Sequence, residues 1–192
     1  MAVTTSAPVH RLSVEDVYAM VRAEILDENA RVELVEGVLV DLNPIGPEHR
    51  STVRDLTEHF VLALAGRFDV AIQDMLLTTD HGYRLPDLVV TERTGRHELP
   101  ETALLVIEVA QTSHARDREK AADYARIDVD EYWIVDLEAE QVTVHRGPSG
   151  PLSHELERSA FYRSIEEHRD GAVTPALDGV PPVSLDARFG RA

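Results

Sequence analysis

Two acidic residues lie inside apolar segments of this sequence and are the first candidates for chemistry. Glu108 interrupts residues 103–110, which otherwise have the composition of a buried strand, and Asp87 lies in the apolar residues 85–90. A buried carboxylate without a partner costs several kcal/mol, so each must be neutralised, paired or bound to a cation. The alternative for Glu108 is that the strand has already ended and the side chain meets water.

The spacing of these two acids allows them to meet. Twenty-one positions separate them, enough for one strand, a loop and a neighbouring strand. Side chains alternate along a strand, so Asp87 and Glu108 converge if their faces coincide on adjacent strands. Two convergent carboxylates bind a hard cation through oxygen, and we expect Mg²⁺ or Mn²⁺.

The only lysine of the chain is the third candidate. Eighteen of the nineteen basic residues are arginine, and the exception, Lys120, follows Glu108 by twelve positions. A guanidinium cannot replace a compact ammonium whose pKa can shift. If a helix follows Glu108 and folds back on the strand, its Lys120 side chain would lie close to the two carboxylates. Two alternatives stay open: coding bias spared one lysine, or Lys120 forms a solvated pair with Asp117 one turn earlier.

The elements that must position these residues are predicted from hydrophobic periodicity and turn residues. Helices are predicted over residues 13–28, with Ser13 as N-cap, over residues 48–66, and from Thr112 or Ser113 to Arg126. Strands are predicted at residues 69–78, 85–90 and 103–110, and hairpins at residues 31–42, turning at Glu36-Gly37, and 131–146. This order predicts a mixed α/β (α+β) domain with helices around a central sheet, over residues 13–192 after a flexible tail of residues 1–12.

The composition and the charge of the chain limit the kinds of molecule that it can bind. The chain has 192 residues, a formal net charge of −16 and no cysteine. One domain is expected, and thiolate metal sites, disulfides and a cysteine nucleophile are excluded. The charge argues against non-specific coating of nucleic acid, but it permits a local basic cleft or a site whose metal ions supply positive charge. No apolar run reaches the ~18 residues of a membrane span, so we expect a cytoplasmic protein without a membrane partner.

A set of motifs in a fixed order resembles the Uma-two family of restriction endonucleases. The motifs are Glu33-Leu34-Val35-Glu36-Gly37, His49, Pro86-Asp87, Glu108-Val109-Ala110, Asp117-Arg118-Glu119-Lys120, Tyr124 and Glu131-Tyr132-Trp133-Ile134-Val135-Asp136. The resemblance covers residues 13–146. This family is assigned to the PD-(D/E)XK nuclease superfamily, so the resemblance implies a restriction-endonuclease-like fold, a central mixed sheet flanked by helices.

The resemblance also implies roles for individual residues. Asp87 and Glu108 would be the metal ligands. The superfamily commonly places its lysine two residues after the second acid, where this chain has Ala110, and Lys120 occupies the position to which the lysine of the Uma-two pattern has moved. Glu33 would be an additional acid at the site. His49 would contact the substrate or support a residue that does.

The leading hypothesis is therefore metal-dependent hydrolysis of phosphodiester bonds, with DNA as the expected substrate. Asp87, Glu108, Lys120 and Glu33 form the expected catalytic set, with Mg²⁺ or Mn²⁺ as cofactor. Substrate contacts are expected from His49 and from arginines near the cleft, namely Arg50, Arg54 and Arg116. The alternative is a catalytically inactive nuclease-fold module for binding or assembly. A homodimer is expected only by analogy with nucleases that cut both strands of a duplex.

Overall fold

The computed structural model describes residues 9–93, 99–110, 114–150 and 160–189, which contain four helices and twelve strands. The helices are α1 (Val14–Arg22), α2 (Pro47–Leu64), α3 (His114–Arg126) and α4 (Leu185–Arg188). The strands are β1 (Val32–Val35), β2 (Val38–Asp41), β3 (Asp69–Ala71), β4 (Leu76–Thr79), β5 (Gly82–Arg84), β6 (Leu88–Thr91), β7 (Leu105–Ala110), β8 (Glu131–Asp136), β9 (Gln141–Pro148), β10 (Tyr162–His168), β11 (Ala172–Val173) and β12 (Val183–Ser184). None of the helices in these ranges combines the length and apolarity needed to cross a bilayer.

The largest sheet has six strands in the order β10-β9-β8-β7-β6-β3. Strands β7 and β8 are parallel and the other neighbours are antiparallel, so the sheet is mixed. The parallel pair needs a crossover connection, and α3 lies in it. Helix α2 packs on one face of this sheet and α3 on the other. The predicted fold class, a mixed central sheet flanked by helices, is confirmed.

Strand β7 divides its side chains between the two faces. Leu105, Ile107 and Val109 join the core that contains α2, whereas Val106 and Ala110 join the core that contains α3. Every residue of this strand is buried. Glu108 alternates with Ile107 and Val109 and therefore points to the α3 side. The alternative in which the strand ends before Glu108 is wrong.

A second sheet carries Glu33, on its strand β1. It has four strands in the order β2-β1-β5-β4. The predicted hairpin at its edge is confirmed, because Glu36 and Gly37 have φ of +46° and +80° in the two-residue turn between β1 and β2. A Cβ at Gly37 would lie 2.4 Å from Cβ of Arg11, so this position has no room for a side chain.

Helix α1 and strands β3 and β4 differ from the elements predicted for their residues. Ser13 caps α1 through a capping box with Asp16 as predicted, but the helix ends at Arg22 rather than at residue 28. Glu24 adopts a left-handed conformation (φ +57°), which stops the helix despite the apolar residues that follow. The predicted strand of residues 69–78 is two strands, β3 and β4, in different sheets, because Gln73 turns the chain with φ +52°.

Candidate active site

The ammonium of Lys120 joins two buried carboxylates from different sheets. Its Nζ donates to Oε1 of Glu108, on β7, at 2.9 Å, and lies 3.0 Å from Oε1 of Glu33, on β1. The exposed fractions are 0% for Glu33, 5% for Glu108 and 4% for Lys120. The solvated-pair alternative for Lys120 is therefore wrong, and the structure brings these three predicted site residues together.

A second cation, Arg84, fixes Glu33 from the other side. Arg84 Nη1 donates to Oε2 of Glu33 at 3.0 Å, and its Nε donates to Oδ2 of Asp123 at 3.0 Å. The backbone N–H of Leu85 donates to Oε1 of Glu33 at 3.2 Å. Glu33 is thus held by a guanidinium, an ammonium and an amide, which compensate the burial of its charge.

Helix α3 presents three of these groups on one face. Asp123 and Tyr124 follow Lys120 by three and four positions, the spacing that places each of them beside Lys120 on the helix surface. The hydroxyl of Tyr124 donates to Oε1 of Glu108 at 2.7 Å. One carboxylate oxygen of Glu108 therefore accepts hydrogen bonds from both Lys120 and Tyr124.

Asp87 lies beside Glu108, although it is not inside a strand as predicted. Strand β6 begins one residue later, and its antiparallel register pairs Leu88 with Ile107, which places position 87 opposite position 108. The Oδ2 atom of Asp87 accepts from the backbone N–H of Val109 at 2.9 Å. A bend therefore presents the carboxylate, and the neighbouring strand fixes it.

His49, in the first turn of α2, completes the surroundings of Asp87. Its Nε2 lies 2.9 Å from Oδ2 of Asp87. Its Nδ1 is buried and has no hydrogen-bond partner among the described residues. In the neutral ring this geometry assigns the proton to Nε2, because Oδ2 of an ionised carboxylate only accepts.

The buried charges change the proton affinity of the site. Burial raises the pKa of Glu108 to about 7, and the Asp87 and Glu33 carboxylates add to this effect while Lys120 opposes it. Burial lowers the pKa of Lys120, but the Glu108 and Glu33 carboxylates outweigh burial and hold that pKa above its usual range. Burial, with the Glu108 carboxylate beside it, also holds the pKa of Tyr124 well above its ordinary value.

The donor set suits a hard dication. When ionised, Glu33, Asp87, Glu108 and Asp123 supply four negative charges against two positive ones from the buried Lys120 and Arg84. Hydrogen bonds between described residues use Oδ2 of Asp87 and Oε1 of Glu108, but neither Oδ1 nor Oε2. In the described ranges no three histidine or acidic side chains form a metal-ligand cluster. A cation here would take two carboxylate oxygens and complete its shell with water and substrate, as Mg²⁺ commonly does.

Two of the predicted arginines, Arg50 and Arg54, lie outside this buried cluster. Arg50 and Arg54 are exposed on α2 and line a groove that begins at His49. Arg54 also pairs with Asp55, with an Nη2–Oδ1 distance of 2.9 Å. Arg116 is in the first turns of α3, and its side chain lies outside the described residues.

Sequence reasoning missed the ion pair of Arg84 with Asp123. Its signal is weak, because Arg84 is one of eighteen arginines and sits in a short segment between Tyr83 and Leu85. The useful signal is charge balance, since a fully buried Glu33 that shares Lys120 with Glu108 needs a second cation.

Comparison with known proteins agrees with this architecture. A family model described as "Putative restriction endonuclease" matches residues 14–185, and the chain belongs to this family, the Uma-two family. The predicted resemblance is confirmed.

A solved structure is similar over nearly the whole chain. The crystal structure of a "putative nuclease belonging to DUF820" from Anabaena variabilis ATCC 29413 superposes with a TM-score of 0.71 and 12% sequence identity, over 96% of this chain and 99% of that chain. At this identity the likeness establishes the fold alone. No curated protein matches the chain.

Proposed function

We propose that this protein is a metal-dependent nuclease that hydrolyses phosphodiester bonds of DNA. The observation that carries the proposal is the buried Lys120 held between Glu108 and Glu33, with Asp87 opposite Glu108. Burying three acids and one lysine together costs free energy, and well-packed apolar residues would stabilise the fold at least as much. Stability alone therefore does not explain this cluster. Membership of the Uma-two family supports a nuclease function for this cluster.

Asp87 and Glu108 are the proposed ligands for Mg²⁺ or Mn²⁺. Each has one carboxylate oxygen that no hydrogen bond between described residues uses. When bound, such a cation polarises a phosphoryl oxygen and lowers the pKa of water. The hydrogen bonds from Val109 and His49 orient Asp87, and those from Lys120 and Tyr124 orient Glu108.

Lys120 acts as a fixed positive charge in this proposal. The carboxylates around it hold its pKa above the ordinary value, which favours the charged ammonium. A preorganised ammonium stabilises the negative charge that develops on the phosphoryl oxygens in the transition state. Glu33, whose two oxygens contact Arg84, Lys120 and the amide of Leu85, positions that ammonium.

A cleavage assay with matched variants tests the proposal. Wild type should cut plasmid or single-stranded DNA only with Mg²⁺ or Mn²⁺, and Lys120→Ala and Glu108→Gln should lose about a hundredfold or more in rate. Glu119→Gln is the control, because Glu119 is the exposed neighbour of Lys120 on α3. Equal cleavage by all four proteins, or cleavage that persists in a chelator, would reject these roles.

A Mn²⁺ titration by calorimetry separates the nuclease from an inactive nuclease-fold module. Binding that Asp87→Asn abolishes, and that the exposed Asp80→Asn retains, supports the nuclease. Absence of binding by the wild type favours the inactive module. A homodimer and a cytoplasmic location stay predictions.

A further inference from the structure

A groove between α2 and the residues that follow β3 lies beside the candidate active site. Its volume is about 570 Å³, within the ~300–1,000 Å³ of small-molecule sites. One end is formed by His49, whose Nε2 bonds Asp87. The lining residues are Ile45, His49, Arg50, Val53, Arg54, Thr57, Glu58, Val61, Ile72 and Gln73.

The helix side of the groove consists of two rows of side chains. His49, Val53, Thr57 and Val61 are spaced by four positions and form one row, in which Val53 and Val61 are the apolar members. Arg50, Arg54 and Glu58 form a parallel charged row one position further along. A ligand that presents a flat apolar surface and a nearby anion would match both rows.

The opposite wall is Ile72 and Gln73, directly after β3. Ile72 is 54% exposed, and Val61 across the groove is 47% exposed. Gln73 has φ +52°, a strained conformation for a residue other than glycine, and its N–H donates to the carbonyl of Pro86 at 2.9 Å. This hydrogen bond joins the wall of the groove to the residue before Asp87. It therefore fixes the position of the groove relative to the acidic residues.

We infer that this groove binds an unpaired nucleotide of the substrate, next to the phosphodiester bond at the acids. The base lies between Ile72 and the α2 side chains of Val53 and Val61, with its edge at the amide of Gln73. Arg50 contacts the adjoining phosphate. The inference rests on the proposed function, because it places the scissile bond at Asp87 and Glu108, and it makes single-stranded or locally unpaired nucleic acid the substrate class.

Charge and position favour a nucleotide over a second copy of the chain. Arg50 is exposed and forms no ion pair with another described residue, although the chain has a net charge of −16. An uncompensated arginine beside an acidic cluster attracts phosphate rather than a copy of an acidic protein. Apolar side chains and guanidinium planes are also the surfaces on which unstacked bases pack.

A double-mutant cycle between protein and ligand tests the inference. The probes are fluorescein-labelled oligothymidylate and a strand of equal length whose nucleotides are all abasic, so that both carry the same phosphates. Affinities are measured by anisotropy with Ca²⁺ in place of Mg²⁺. Wild type should prefer the strand with bases by about tenfold, and Ile72→Ser and Val61→Ser should remove most of that preference.

Matched controls separate the groove from general surface effects. Leu62→Ser removes an equally apolar side chain of α2 that is 71% exposed and does not line the groove, so the preference should persist. Arg50→Gln should weaken both strands by a similar factor, because it contacts phosphate. Oligouridylate replaces oligothymidylate in a parallel arm that tells RNA from DNA, and a DNA duplex should show no dependence on Ile72.

Each outcome decides for or against the groove. An unchanged preference in Ile72→Ser and Val61→Ser overturns the inference, even if the wild type cleaves DNA. A wild-type dimer that Ile72→Ser converts to monomer also overturns it, because the face is then a self-interface. Loss of the preference in a protein that never cleaves supports the nucleotide groove while rejecting the proposed catalysis.

Discussion

Lys120 and Glu108 form a buried ion pair with an Nζ–Oε1 distance of 2.9 Å. Lys120 belongs to the helix α3, and Glu108 belongs to the strand β7 of the six-stranded sheet. Glu33 shares the same ammonium at 3.0 Å. Because two carboxylates depend on one lysine, removing the lysine leaves two buried charges without that partner. The ion pair therefore connects the stability of the protein with its proposed chemistry.

We expect Lys120→Met to lower the free energy of unfolding by about 3–5 kcal/mol, the usual effect of removing one partner of a buried pair. Urea titration followed by circular dichroism measures the change. Arg22→Ala, which breaks the exposed pair of Arg22 with Glu15, should change it by about 0–1 kcal/mol. Similar small changes in both variants would contradict a strong role of the buried pair.

Glu108 should make the metal-free protein less stable as the pH rises toward neutrality. Its pKa of about 7 in the folded protein exceeds the ordinary value of 4.5, so the folded state binds the proton more tightly than the unfolded state. The contribution of Glu108 to the free energy of unfolding thus falls between these two values and is constant above about pH 7. Urea titrations across this range should show a pH dependence that Glu108→Gln reduces; equal slopes would argue against the raised pKa.

Metal binding should depend on pH in the opposite direction. Only the ionised carboxylate binds a cation, so Mn²⁺ affinity should increase as the pH rises through about 7 in wild type. Calorimetry at several pH values gives this profile, and proton release, seen as a dependence on the ionisation enthalpy of the buffer, should accompany binding. Affinity that is independent of pH below neutrality would exclude Glu108 as a ligand.

Tyr124→Phe should move the titration of Glu108 to higher pH. The hydroxyl donates to Oε1 of Glu108 at 2.7 Å, and a hydrogen bond to the charged form of an acid lowers its pKa. Mn²⁺ affinity should therefore fall several-fold below neutral pH and change little at alkaline pH. Tyr162→Phe is the control, because this buried hydroxyl bonds the carbonyl of Val129 instead.

Arg84 and Asp123 are positioning residues in the proposed mechanism. Asp123→Asn and Arg84→Lys should lower kcat by about tenfold or more and leave KM nearly unchanged, because they disturb the support of Glu33 and Lys120 without touching substrate. A lysine cannot replace the guanidinium, which bonds Glu33 and Asp123 at once. Arg126→Gln, which removes a half-exposed partner of Asp123, should retain most activity. A rise in KM alone would refute the positioning role.

The proximity of Glu108 and Lys120 could be predicted from the sequence itself, whereas Glu33 was expected only from the family resemblance. A charged residue inside an otherwise apolar strand is anomalous, which identifies Glu108, and a single lysine among eighteen arginines identifies Lys120. The strand, the crossover helix and the alternation of side chains follow from local pattern. Together they predict that Lys120 folds back onto Glu108.

The surroundings of these residues could not be predicted in the same way. Arg84 and Asp123 are common residue types without unusual spacing, and their contact spans 39 positions between different elements. The left-handed turns at Glu24 and Gln73 depend on tertiary packing, because neither residue type favours that conformation. The groove beside His49 likewise exists only after β3 has paired with β6.

Asp87 reaches Glu108 because β6 and β7 pair in one register, Leu88 with Ile107. Inserting or deleting a single residue in β6, with its core contacts preserved, would turn Asp87 away toward the α2 side of the sheet. Length variation in this strand is therefore more damaging than most substitutions. In a relative with such a change, the two carboxylates that we propose as metal ligands would no longer meet, even if every residue type of the proposed site were still present in its sequence.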